Sequence, residues 1–193
     1  MMQTNSIPIR YIDSLREKRH IALFYEDPEY ARLLEFRFIK NGLDLGEYCV
    51  YATEEDSGFV VIKLVSYGIP FEHFQSKRIR VYQTRVAHDD PNKMLASCKL
   101  EVGRILSGLR TPFRIVARIV PDVSDLIGMG VELELERITQ ECFDSFGGSL
   151  ICPYNISKIE STKRGEWLRR LREEHHAVIY APEFDKGGVI YSC

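Results

Sequence analysis

Cys152 closes an apolar run and is followed by Pro153, Tyr154 and Asn155. A cysteine does nucleophilic chemistry as a thiolate, which forms beside a cation or a helix N-terminus. The pair His175-His176 offers a cation, since the apolar run after it should lie close in the sheet to the run that ends in Cys152. His20 heads a further apolar run, where an imidazole acts as an end cap or as a pocket residue. His20, Cys152 and one of His175 and His176 are donor types that suit zinc or copper. No two of them have the short spacing of a metal motif, so neither a metal nor another cofactor is expected, and a buried cysteine also serves as a small apolar side chain.

Other charged groups have plainer readings. Glu54, Glu55 and Asp56 follow a strand-like run and suit a first helical turn, where the macrodipole favours acids. Asp122, after Pro121, reads as a helix-initiating turn. The basic run from Lys163 to Arg172 (KRGEWLRRLR) carries Trp167, yet Glu160, Glu166, Glu173 and Glu174 interleave its charges as on a solvated helix face. No direct nucleic-acid contact is expected. The chain contains no G-x-S-x-G, no metalloprotease histidine pair and no G-x-G-x-x-G, so no enzyme is expected, although a Cys/His-dependent enzyme or redox sensor stays open as an alternative.

These residues must be positioned by a regular alternation. Strands are expected over Ile21–Tyr25, Tyr48–Ala52, Ile79–Gln83, Phe113–Val120, Ser149–Tyr154, Ala177–Ala181 and Val189–Tyr191. Helices are expected from Asp27-Pro28 to Gly42, from Asp56 to Ser66, from Asp90-Pro91 to Leu106, over Ser124–Phe146 and over Glu160–Glu174. Aspartate followed by proline is a cap plus a first helical residue. Strands that are apolar on both faces call for a mostly parallel sheet between helices, a three-layer α/β sandwich. Ligands in such sheets bind beyond the carboxyl ends of the strands, which marks Tyr25, Glu26, Glu54 and Tyr154.

The length of 193 residues suits one domain, 1–193, with 1–18 as an N-terminal extension. A net charge of −2 gives no electrostatic footprint for nucleic acid. The five cysteines form no C-x-x-C pair and their number is odd, which suits a reducing cytoplasm. No run reaches the ~20 apolar residues of a membrane span, and the N-terminus has no signal-peptide core. A cytoplasmic protein without membrane contact is expected.

From Phe38 the chain reads FIKNGLDLGEYCVYATEE. This resembles the KaiC branch of the RecA-like ATPases, in which a Gly-Leu-x-x-Gly-Glu turn leads into a strand and an acidic pair. The resemblance places a phosphate loop at Glu26–Arg32, but that segment has neither glycine nor lysine, and Asp27 and Glu29 would oppose a polyphosphate. A functional Walker A loop, and with it ATPase activity, is therefore not expected. The order of His20-Ile21-Ala22-Leu23-Phe24-Tyr25, the Gly42–Glu47 turn, Cys152-Pro153-Tyr154-Asn155 and His175-His176 resembles the MEDS domain, the methanogen/methylotroph DcmR sensory domain. That resemblance implies a RecA-like fold and a sensory role in transcriptional or signal regulation, with a small molecule such as a hydrocarbon derivative as ligand. It implies site positions at His20, Tyr25, Cys152, Tyr154 and one of His175 and His176. Where related domains often carry Gly-Glu in the fourth strand, this chain has Ala117-Arg118, which places a cation, Arg118, in the expected pocket. The signal would pass to a regulatory protein partner, with homo-oligomers as a further possibility. The alternative is a KaiC-like protein-interaction module without a small-molecule ligand.

Overall fold

The computed structural model describes residues 6–85, 90–119 and 123–192. Seven strands form one sheet: β1 His20–Tyr25, β2 Tyr48–Thr53, β3 Ile79–Gln83, β4 Phe113–Arg118, β5 Gly148–Asn155, β6 Ala177–Ala181 and β7 Gly188–Tyr191. Their order is β3-β2-β4-β5-β1-β6-β7, parallel throughout except for the antiparallel β6–β7 edge. Every residue of β1 is buried, because β1 lies between β5 and β6 and both of its faces are covered.

The helices are α1 Ile7–Ser14, α2 Pro28–Asp44, α3 Ser57–Ser66, α4 Glu72–Gln75, α5 Pro91–Leu106, α6 Leu126–Glu141 and α7 Arg164–Glu173. Aspartates start four of them. Asp27, Asp56, Asp90 and Asp125 each accept from first-turn amides of α2, α3, α5 and α6, and Pro28 and Pro91 are the first helical residues expected from the sequence. α1, α2 and α3 pack on one face of the sheet, and α5, α6 and α7 on the other. The result is the expected three-layer sandwich.

Several boundaries differ from the expectation. α6 stops at Glu141, and a 3₁₀ turn over Phe143–Ser145 follows. The turn lets the Phe143 ring stack on His20, with centroids 5.7 Å apart. α7 begins at Arg164, because the Glu160 carboxylate accepts from the amides of Thr162 and Lys163 and holds that stretch as a turn. The fourth strand ends at Arg118, and Asp122, read as a turn, lies outside the described residues.

The segment expected to be an extension is a packed helix. Ile9 and Ile12 of α1 are buried, Ser6 caps it, and Arg37 of α2 holds Asp13 through two hydrogen bonds of 2.6 and 2.7 Å. Its end is fixed by Arg114 of β4, which is buried. Arg114 donates to the Leu15 carbonyl, to the Phe38 carbonyl and to Glu47. A Cβ on Gly42 would stand 2.6 Å from Arg114 Cδ. The Gly-Leu-x-x-Gly-Glu turn thus makes room for a buried guanidinium and supplies its counter-ion. Because α1 belongs to the core, Ile12→Ala should lower unfolding stability by about 2–5 kcal/mol; a urea midpoint within error of the unaltered protein would show instead that α1 is dispensable.

Candidate functional site

Strand alternation decides which of the expected residues meet. On β1, His20, Ala22 and Phe24 face α5–α7, whereas Ile21, Leu23 and Tyr25 face α1–α3. On β5, Cys152 and Tyr154 share the α5–α7 face. α6 lies over this face, and a spacing of four directs Glu132, Glu136 and Gln140 at the sheet. His175, in the turn between α7 and β6, enters from the side.

These groups form one buried cluster. His20 Nε2 donates to Glu136 Oε2 at 2.9 Å, and Cys152 Sγ lies 3.7 Å from the same nitrogen. His175 Nε2 is 3.5 Å from Glu136 Oε2, and the two imidazole rings are 4.0 Å apart. The far nitrogen of each ring has its own partner. His175 Nδ1 donates to the Leu171 carbonyl at 2.6 Å, and His20 Nδ1 pairs with Gln140 Oε1 at 3.1 Å. His176 turns outward, and its Nδ1 accepts from the His20 amide at 3.1 Å. Of the two adjacent histidines, His175 is the one in the cluster.

Tyr154 links two carboxyl groups. Its hydroxyl lies 2.7 Å from Glu132 Oε1 and in contact with Glu136 Oε1. A phenol has one proton to donate, so one carboxyl must donate in turn. Burial, and then the charge of Glu136, raise the Glu132 carboxyl well above its ordinary range, so Glu132 carries the proton. Burial alone would also raise Glu136. The His20 imidazole, with hydrogen bonds from His20 and Tyr154, outweighs it and holds Glu136 ionised. Burial, reinforced by His20, lowers His175 to about 3, so this ring is neutral. The expected cation beside Cys152 is therefore not supplied by His175. Burial and then the neighbouring charge of Glu136 instead raise the Cys152 thiol well above its ordinary value and keep it protonated.

A cavity of about 70 Å³ adjoins the cluster between α5, α6 and the sheet. Its walls are largely apolar, including Cys98, Ile105, Ile115, Ala117 and Leu135, and one end is formed by Cys152, Glu132 and Glu136.

The other expected residues lie elsewhere. Tyr25 and Arg118 are on the opposite face of the sheet. Arg118 clamps the buried carboxylate of Glu35 with contacts of 2.9 and 2.5 Å, and its third nitrogen approaches Tyr25 Oη at 3.3 Å. Tyr51 also donates to Glu35, and Arg32 donates to Tyr51 and pairs with Glu55. Arg118 is thus the counter-ion of an internal acid and does not enter the cavity. Glu26 is exposed and accepts from Tyr180 at 3.4 Å. Glu54 is exposed at the end of β2. Where a phosphate loop would stand, an open groove of about 520 Å³ runs beside the start of α2. Asp27 Oδ1 already accepts from the amides of Glu29 and Tyr30 at 2.9 and 3.3 Å, so the chain's own carboxylate occupies the donors a phosphate would need.

Glu132, Glu136 and Gln140 were not singled out from the sequence. Their only signal is the four-residue stripe on α6. The protonated state of Glu132 gives a sign that can be checked. Above its ordinary value of 4.5 the unfolded chain loses this proton while the folded chain keeps it, so stability is lost as pH rises. Glu132→Gln should therefore raise the urea midpoint in mildly alkaline buffer, with the advantage disappearing in acid. An equal effect at both ends of the range would mean that Glu132 is ionised in the fold.

The chain matches the MEDS family, the "MEthanogen/methylotroph, DcmR Sensory domain", over residues 19–172. A comparison with curated proteins finds no match. Among solved structures, a KaiC-like protein from Pyrococcus horikoshii OT3 superposes with a TM-score of 0.59 at 15% identity, covering 84% of this chain and 70% of that one. The flagellar accessory protein FlaH from Methanocaldococcus jannaschii gives 0.54 at 12%, covering 84% and 70%. A second Pyrococcus horikoshii OT3 protein gives 0.60 at 12%, covering 96% and 91%. With this RecA/KaiC-like fold, and with a family match that spans most of its length, the chain belongs to the MEDS family of sensory domains.

Proposed function

We propose that the domain senses a small, largely apolar molecule held in the cavity between α5, α6 and the sheet, its polar end against Cys152, Glu132 and Glu136. The observation that carries this reading is the cavity itself: largely apolar walls with Cys152, Glu132 and Glu136 gathered at one end. Dry cavities of about 150 Å³ bind benzene, so one of about 70 Å³ suits a molecule of a few heavy atoms, such as a C1 or C2 hydrocarbon derivative. With the Glu132 proton committed to Tyr154, the remaining carboxyl oxygens of Glu132 and Glu136 supply acceptors. The domain is read as non-catalytic, because Asp27 satisfies its own helix start and the Cys152 thiol stays protonated.

Occupancy would favour one arrangement of α5 and α6 over another and pass that preference to a regulatory protein. Phe59, Ile62 and Phe71 on and beside α3 are exposed and give a partner apolar surface. The same surface favours a second reading, an interaction module of KaiC-like shape that needs no ligand.

Thermal-shift and calorimetric titration with dichloromethane, methanol, methylamine, methanethiol and magnesium-ATP tests the two. A ligand at about 100 times its Kd adds about 2.7 kcal/mol of stability, a rise of several degrees. One of the C1 compounds should give that rise, and magnesium-ATP should give none. Ala117→Leu, which fills the cavity, should abolish the response while leaving the fold intact. Silence from every small compound, with a discrete protein captured by the α3 surface, would replace the sensor by the interaction module.

A further inference from the structure

His20 Nε2, His175 Nε2, Cys152 Sγ and a Glu136 carboxylate oxygen all lie within 4.8 Å of one another, and all four residues are buried. From these atoms we infer that the cluster is a binding site for one divalent transition-metal ion, with zinc the best match to two imidazoles, a thiolate and a carboxylate. The inference goes beyond the sensor reading and needs no organic molecule in the cavity.

Three observations carry it. The first is spacing. Bonds of about 2.0–2.3 Å to nitrogen, oxygen and sulfur in a tetrahedron put the donors about 3.3–3.7 Å apart. His175–Glu136 at 3.5 Å and Cys152–His20 at 3.7 Å already have that separation, and His20–Glu136 at 2.9 Å needs to open only slightly. The second is orientation. The Nδ1 of each ring faces an oxygen acceptor, the Leu171 carbonyl for His175 and Gln140 Oε1 for His20. Metal-binding histidines are held in this way, with the outer N–H anchored and the inner lone pair presented to the ion. The third is His175 Nε2, which is fully buried and has no hydrogen-bond partner. A bare ring nitrogen in a closed core is costly unless something accepts its lone pair.

Charge balances as well. On binding, the Cys152 S–H bond breaks, a sulfur–metal bond forms and the proton leaves to solvent. The Nε2 proton that His20 shares with Glu136 also leaves to solvent, and His20 keeps the one on Nδ1. The dication then faces one thiolate and one carboxylate, so the core gains no net charge. Tyr154 continues to hold the outer oxygen of Glu136, and protonated Glu132 continues the chain to the cavity wall. Because Cys152 and Glu136 also form the polar end of the cavity, the ion would stand directly behind that wall.

The test uses the full chain produced with cobalt or zinc. Elemental analysis should find one ion per chain. The cobalt form should show thiolate-to-metal charge transfer in the near ultraviolet and intense visible bands of a tetrahedral ion. X-ray absorption of the unaltered zinc protein should give one sulfur and two imidazoles, a result that depends on no variant folding. Cys152→Ser should erase the charge-transfer band, whereas Cys49→Ser, on the opposite face of the sheet, should keep it. Gln140→Ala, which releases the His20 ring, should weaken metal affinity about 10–100-fold without changing the spectrum. Substoichiometric metal, a sphere without sulfur, or a charge-transfer band that survives Cys152→Ser would overturn the site. Titrating the metal-free protein with the C1 compounds separates the two ideas: a response there sustains the sensor reading even when the metal site fails.

Discussion

A carboxylate in the middle of a helix that lies flat on a sheet cannot be left alone. Glu136 is buried on α6, and an unpaired charge there would cost several kcal/mol. Three separate segments supply its partners: His20 at the start of β1, Tyr154 at the end of β5, and His175 between α7 and β6. Satisfying one acid therefore fixes the relative positions of the central strands, α6 and the last crossover. Glu35 sets the same requirement on the other face, where Arg118 and Tyr51 meet it. The two faces of the sheet meet their internal acids with different chemistry: a guanidinium clamp on Glu35 on one side, imidazole, thiol and phenol around Glu136 and Glu132 on the other.

Much of the fold was legible in local signals. Asp27-Pro28 and Asp90-Pro91 start helices where capping physics requires, and the edges of β3 and β6 coincide with their apolar runs. α1 was not legible, because an eight-residue helix has little propensity of its own and forms here by burying Ile9 and Ile12. The end of α6 was overextended because the apolar pattern continues into Phe143 and Phe146, which pack from a turn.

The site was half legible. His20, Cys152, Tyr154 and His175 were marked by their places at strand ends, and the structure brings them together. Glu132 and Glu136 were not, since glutamates four apart on a helix look like a solvated face until tertiary packing buries them. Tyr25 was grouped with the site by its strand end and Arg118 by its place in the fourth strand, where related domains carry Gly-Glu. The period of two along a strand sends both to the far face, which the odd separation of Tyr25 from His20 already implied. The start of α2 carries a different signal. A helix N-terminus attracts anions even without glycines and lysine, and Asp27 meets that attraction from within the chain.

Ala117 and Arg118 are consecutive residues of β4, one forming cavity wall and the other gripping Glu35 beneath α2. A single peptide unit thus has its two ends in different compartments. A displacement of the backbone at Ala117 would also carry the Arg118 guanidinium on the reverse side, which two directional contacts hold to Glu35. Strain raised in the interior would emerge through Arg32 and Glu55 at the rim of α2 and α3. The sheet would then act less as a partition between two layers than as a membrane of a drum, struck on one skin and heard on the other.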